Sequence, residues 1–128
     1  AFKDYTSICS SAPSEFLAAV ALRHYEQLVE RNLQIIKNNL VYINGFLAKN
    51  RELFTWIPPQ ASPIAFPRLN IKAGIDEFAR ELVEESGVLI LPGTCYGMEQ
   101  PFFRLGFGRR DFKEGLDELQ RYLDRKSV

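Results

Sequence analysis

Pro58, Pro59, Pro63 and Pro67 all lie in the stretch LFTWIPPQASPIAFPRLNI, Leu53 to Ile71. Proline fixes φ and has no N–H to donate, so no helix can cross this stretch. It reads as two short strands, FTWI and IAFPRL, around a proline-rich turn. Pro67 would then have to stand at a sheet edge or a bulge. Helical patterns flank it on both sides, so the chain must combine helices with strands that are too short to stand alone.

Upstream, Val29, Leu33, Ile36, Leu40, Ile43 and Leu47 recur at intervals of 4, 3, 4, 3 and 4. That spacing predicts one long amphipathic helix. Before it, FLAAVALRHY (Phe16 to Tyr25) is apolar on several faces and is expected to be more deeply buried. Pro13 and Glu15 suit a first helical turn. A bend is expected between Arg23 and Gln27, and Asn44-Gly45 and Asn50 weaken the far end. Downstream, GIDEFARELVEESG predicts a helix with Ile75, Phe78, Ala79, Leu82 and Val83 inward and Gly87 as its stop. VLILP reads as a buried strand, GTCYGMEQP as a loop and FFRLGF as a second strand. Asp111 and Glu114 form a capping-box pattern for a last helix with Phe112, Leu116, Leu119 and Leu123 toward the core. The expected fold is α+β: a small, mostly antiparallel sheet with helices on one face, preceded by a long helix.

Lys plus Arg and Asp plus Glu are both 16, so the net charge is zero. No long-range attraction to nucleic acid or to an anionic membrane follows from that balance. No apolar run approaches the roughly 18 residues of a membrane span, and no signal-peptide pattern opens the chain. Cys9 and Cys95 lack metal-ligand spacing and read as free thiols in a reducing compartment, which points to the cytoplasm. The first residue is Ala1 and the single methionine is Met98, which suggests a piece of a longer polypeptide.

Arg104 interrupts the apolar run of Phe102, Phe103, Leu105 and Phe107. A guanidinium keeps its charge at ordinary pH, and burying it unpaired is costly. Two readings follow: an edge-strand arginine turned to solvent, or a bidentate clamp for a carboxylate or phosphate. Arg109 and Arg110 read as solvated at the helix entrance. Gly106 to Gly108 are too few for a dinucleotide fingerprint and suit a turn or a close backbone approach. Gly93 and Gly97 allow a tight irregular loop after Pro92, either a plain connection or the lining of a site. His24, the one histidine, has no nucleophile motif beside it, and the carboxylates are spread along helix faces. Lys3, Lys37, Lys49, Lys72, Lys113 and Lys126 all read as exposed, so none has the apolar setting that Schiff-base chemistry uses.

GVLILPGTCYG, then FFRLGFG, then a capped terminal helix together resemble the end of a class I/II aminotransferase, a pyridoxal-phosphate enzyme of fold type I. The opening KDYTSICSSAPSEFLAAVALR resembles the segment that follows the family's cofactor lysine. The resemblance implies that residues 1–25 are the tail of a large domain and its linker helix, and that 26–128 form the C-terminal small domain. It implies that Arg104 binds the substrate α-carboxylate. The loop holding Gly93, Tyr96 and Gly97 lies near the substrate in relatives, usually with Phe where Tyr96 stands, and Ile64 is a further pocket candidate. It implies an amino acid and a 2-oxo acid as substrates, the large domain of the same polypeptide as a partner, and a homodimer for the full-length enzyme. The family's cofactor lysine, pyridine-nitrogen aspartate and phosphate-binding residues lie upstream of this stretch, so the fragment alone is expected to be inactive. A rival reading is a non-catalytic α+β module for a carboxylate ligand or a protein partner, and another is a degenerate aminotransferase used as a regulator.

Overall fold

A computed structural model describes residues 5–6, 9–71 and 74–126. The chain divides into two compact units, residues 1–34 and 35–128.

In the first unit, helix α1 (Ala12–Arg23) has Pro13 and Glu15 in its first turn and Arg23 in its last. At His24 the backbone leaves helical geometry, and its N–H turns back to the Ala21 carbonyl (3.2 Å). Helix α2 (Tyr25–Lys49) then begins. The deep burial expected for FLAAVALRHY is not found: Phe16, Leu17 and Leu22 are 68%, 64% and 73% exposed, and α1 has no buried residue. A helix that is apolar on several faces needs cover on more than one side, and the described residues do not supply it, as expected if FLAAVALR packs against a large domain outside this stretch. Val29 and Leu33 of the α2 stripe are also exposed.

The second unit takes up the stripe where it becomes buried. Ile36 and Leu40 are partly covered, and Ile43, Phe46 and Leu47 join the core. The helix runs through Asn44-Gly45 without interruption. Beyond it lie β1 (Phe54–Thr55), β2 (Ile64–Ala65), β3 (Arg68–Leu69), helix α3 (Ile75–Ser86), β4 (Leu91–Pro92), a 3-10 turn (Gly93–Tyr96), β5 (Phe103–Gly106) and helix α4 (Phe112–Lys126). All strand pairs are antiparallel: β1 with β3, and β2 and β4 on either side of β5. The fold is α+β.

The strands are shorter than the sequence suggests, and proline is the reason. Ile64 faces Gly106, Ala65 faces Leu105 and Arg68 faces Phe102, so β2 and β3 keep one register along β5. The break between them is Phe66-Pro67. Phe103 N–H donates to the Pro67 carbonyl (3.0 Å), but Pro67 has no N–H to return. Pro67 is fully buried and lies in the break between β3 and β2, the latter an outer strand of its sheet. Pro63 and Pro101 repeat the pattern: each accepts a hydrogen bond, from Phe107 and Leu69 (both 2.8 Å), and can donate none.

One sheet face is packed. Phe54, Ala65, Leu69, Phe103 and Phe107 point into a core shared with Phe78, Leu82, Leu116, Leu119 and Tyr122 of α3 and α4. Ring contacts Phe46–Phe54, Phe54–Phe103 and Phe107–Phe112 lie at 5.8, 5.8 and 6.3 Å. Three residues read as inward are not. Val83 is partly exposed at the margin of α3. In VLILP, Ile90 is buried while Leu89 is 77% exposed and Leu91 is also open, because only one face of the sheet is covered and strand side chains alternate.

Candidate carboxylate-binding site on the open sheet face

Residues directly opposite in an antiparallel pair share a face. Arg104 pairs with Leu91 on one side, and the β2–β3 register puts Phe66 opposite it on the other. Ile64 pairs with Gly106, and Arg68 with Phe102 and Thr55. Ile64, Phe66, Arg68, Leu91, Phe102 and Arg104 therefore share the face opposite the core. This explains the interruption of the apolar run: Phe103 and Leu105 belong to the packed side and Arg104 to the other. Arg104 is not an edge-strand residue, since β5 is the central strand of its sheet.

Arg104 is the one arginine among the described residues that is half-buried; the others are exposed. Among those residues no carboxylate pairs with it. Arg109, by contrast, places its guanidinium fork on Asp111, Nε to Oδ1 at 2.9 Å and Nη2 to Oδ2 at 2.7 Å. That contact holds the Asp111 carboxyl below its ordinary value and raises Arg109. The Asp111 carboxylate thus faces Arg109, and its main-chain carbonyl accepts the Gly115 N–H (3.4 Å) at the start of α4.

The loop after Pro92 is an ordered 3-10 turn. Gly93 is buried, and its N–H donates to the Phe102 carbonyl (2.7 Å). A Cβ at Gly93 would come within 2.8 Å of that same oxygen, so only glycine fits the approach. Gly97 ends the turn with φ 71°, a left-handed value that favours glycine. Thr94 Oγ1 donates to Asp76 Oδ1 at 2.6 Å, tying the turn to the first turn of α3. Tyr96 meets Phe66 edge-on, with centroids 5.5 Å apart. The structure therefore brings Arg104, Ile64 and, through Phe66, Tyr96 to one region, while Gly93 and Gly97 shape the turn that carries Tyr96.

Two residues of this arrangement are not singled out by the sequence. Phe66 looks like any apolar strand residue until the register puts it opposite Arg104. Asn39 is 5% exposed, and its Nδ2 donates to the carbonyls of Phe107 (2.9 Å) and Arg109 (2.6 Å), holding the end of the Arg104 strand to α2. A cavity of about 440 Å³ opens where residues 87–90 leave β5. Arg104 is among its lining residues, but Leu116 and Leu119 put it on the helix side, and Arg109, Asp111 and Glu114 also line it. Asp111 is paired with Arg109 there, and the Glu114 carboxylate is one negative charge in the lining that disfavours a second anion.

His24 is exposed on the first unit, and no group of three or more metal-ligating side chains occurs among the described residues. Cys9 and Cys95 are both exposed and free. No described helix is long and apolar enough to cross a membrane. Lys113 is held by Asp117 (2.8 Å), and Lys126 by Glu85 (2.9 Å) and Glu81 (3.2 Å). Both ammonium groups are raised above their ordinary values by these partners. Lys3 and Lys72 lie outside the described residues.

The same segments match known proteins. Capreomycidine synthase of Streptomyces vinaceus is 26% identical over 123 residues, covering 94% of this chain and 31% of its own length. The crystal structure of a PLP-dependent aminotransferase from Streptococcus suis superposes with a TM-score of 0.86 at 29% identity, over 99% of this chain and 34% of that one. That of a PLP-dependent cyclase, OrfR, gives 0.85 at 33% identity, over 98% and 35%. The chain thus spans about a third of the length of these relatives. The family model for aminotransferases of class I and II matches residues 3–119, nearly the whole chain, and the chain belongs to that family.

Proposed function

We propose that this chain is the C-terminal small domain of a PLP-dependent aminotransferase, which moves an amino group between an amino acid and a 2-oxo acid. In this reading Arg104 holds the substrate α-carboxylate. The observation that carries it is a half-buried guanidinium on the sheet face opposite the core, between Leu91 and Phe66, with no carboxylate partner among the described residues. A planar fork in a partly desolvated, apolar setting is suited to bind a carboxylate by two parallel hydrogen bonds. Phe66, Tyr96 and Ile64 then form the apolar wall beside the bound group.

In this reading the cofactor pocket is built elsewhere. Lys113 and Lys126 are held protonated by carboxylates, whereas a lysine that forms an imine must give up its proton. We therefore assign the covalent lysine and the phosphate-binding groups to the large domain of the same polypeptide. That domain also supplies the second wall of the substrate site, and residues 1–25 form its tail and linker. The isolated chain is then inactive, and the full-length enzyme is a homodimer. Two free, exposed thiols suit a reducing compartment, the cytoplasm.

The test is substitution in the full-length enzyme. Arg104→Ala removes a charge-assisted contact of about 1.5–3 kcal/mol, so kcat/KM falls by about 10- to 100-fold. Arg104→Lys recovers only part, since a point charge cannot reproduce the fork. Arg110→Ala, at an exposed site, costs little. Unchanged kcat/KM in Arg104→Ala overturns the assignment.

A second reading has a specific observation behind it. Two of the similar proteins carry the names of a synthase and a cyclase. The same clamp would serve any PLP-dependent reaction of an α-amino acid. Product analysis with a 2-oxo acid acceptor present and absent separates them: turnover that requires the acceptor supports transfer, and turnover without it supports the second reading.

A further inference from the structure

Among the described residues, Asn39 is the one buried residue with an amide or charged side chain. It lies in the middle of α2. A buried amide is costly unless its hydrogen bonds are made. Asn39 makes them with the main chain at the end of β5: Nδ2 donates to the Phe107 carbonyl at 2.9 Å and to the Arg109 carbonyl at 2.6 Å.

The register of β5 explains why the Phe107 carbonyl is open to a side chain. Ile64 faces Gly106 and Ala65 faces Leu105, so the same register sets Pro63 opposite Phe107. Phe107 N–H donates to the Pro63 carbonyl at 2.8 Å. In such an antiparallel pair the two residues exchange both bonds, so the return bond would run from the N–H of residue 63 to the carbonyl of residue 107. Proline has no N–H, and the bond cannot form. The Asn39 amide takes the place of the missing donor. The same loss recurs at Phe103, which donates to the Pro67 carbonyl at 3.0 Å and receives nothing back from that proline. Arg104 therefore stands on a strand segment that meets a proline at each end of its pairing with residues 63–67, and the far end is completed from α2.

We propose that Asn39 is a positioning residue for Arg104: by supplying the donor that Pro63 lacks, it fixes the end of β5 and so the place from which the guanidinium reaches the substrate carboxylate. This rests on the assignment of the α-carboxylate to Arg104. Arg104 is three residues from Phe107 on one continuous strand. Without the amide, the Phe107 carbonyl is a buried acceptor with no donor, and the strand end shifts to find another. A guanidinium fork that makes two parallel hydrogen bonds tolerates little displacement. Asn39 itself touches no substrate and acts only through Arg104.

The experiment is a double-mutant cycle in the full-length enzyme. It is read as kcat/KM for an amino acid substrate, at a temperature where circular dichroism shows every variant folded. Asn39→Leu keeps the size of the side chain and removes the donor. It should lower kcat/KM by about 5- to 20-fold in the wild type, and by less than about twofold in Arg104→Ala, where the group it positions is already gone. Asn39→Ser, a smaller change, carries the same cycle if the leucine variant does not fold. An equal loss in both backgrounds makes Asn39 structural only and overturns the proposal, and so does an unchanged kcat/KM in the wild-type background. If Arg104→Ala alone leaves kcat/KM unchanged, the α-carboxylate assignment fails instead, so the two failures are distinguishable.

Discussion

Gly93 shows how one residue constrains the candidate site. Its N–H is 2.7 Å from the Phe102 carbonyl, and a Cβ would stand 2.8 Å from that oxygen. Since the clash is with backbone, it cannot be relieved by a rotamer change. Gly93→Ala should destabilise the protein by about 1–3 kcal/mol. Gly45 is the control: it lies inside α2 with open space around a Cβ, so Gly45→Ala should stabilise by about 0.5–1 kcal/mol. Urea unfolding of both variants checks the pair, and equal and small effects would contradict the close approach. The need for glycine at position 93 is legible in the sequence only as a flexible loop residue; the carbonyl that demands it is nine residues away. Arg104 is legible as an anomaly in an apolar run, because burying an unpaired guanidinium is costly. Its neighbours Phe66 and Leu91 are not legible, since strand register depends on pairings that no local pattern fixes. Asn39 is harder still. It sits in a helical run beside Asn38, outside the apolar stripe, and the carbonyls it satisfies belong to residues 107 and 109.

At the scale of elements, the helices are more legible than the strands. α3 and α4 begin and end within a residue or two of their sequence signals, and Phe112, Leu116, Leu119 and Leu123 are all buried as their spacing predicts. The strands shrink because Pro63, Pro67 and Pro101 each remove a donor from the pairing along β5. Side chains must therefore supply what the ladder lacks, and the packing of α3 against α4 is part of that. Tyr122 lies there, 2% exposed, edge-on to Phe78 at 5.9 Å, with its hydroxyl donating to Glu81 (3.3 Å). Burial, more than the nearby Glu81 and Glu85, raises its phenol above the ordinary value near 10. The folded state therefore favours the neutral phenol. The stabilisation that follows is complete below pH 10 and is lost as pH rises through the higher folded value. Lys126 is also raised, so its contribution falls in the same direction. In alkaline melting curves, Tyr122→Phe should lose stability less steeply above pH 10 than the wild type. Parallel curves would show that the phenol does not couple to folding.

For the whole molecule, the chain spans about a third of its relatives, and that fraction bears on how it behaves alone. α1 exposes Phe16, Leu17 and Leu22, a surface that soluble monomers rarely leave open. The chain by itself should self-associate, and sedimentation at increasing concentration should show it; a monomer at all concentrations with α1 helical would contradict this. The central claim concerns the α-carboxylate, and deleting that group from the substrate tests it most directly. In the full-length enzyme, kcat/KM is measured for an amino acid and for its α-carboxamide, with wild type and Arg104→Ala. If Arg104 binds the carboxylate, the substitution lowers kcat/KM for the amino acid by about 10- to 100-fold and for the carboxamide by less than about twofold. Equal losses for the two substrates would mean that Arg104 does not touch the carboxylate.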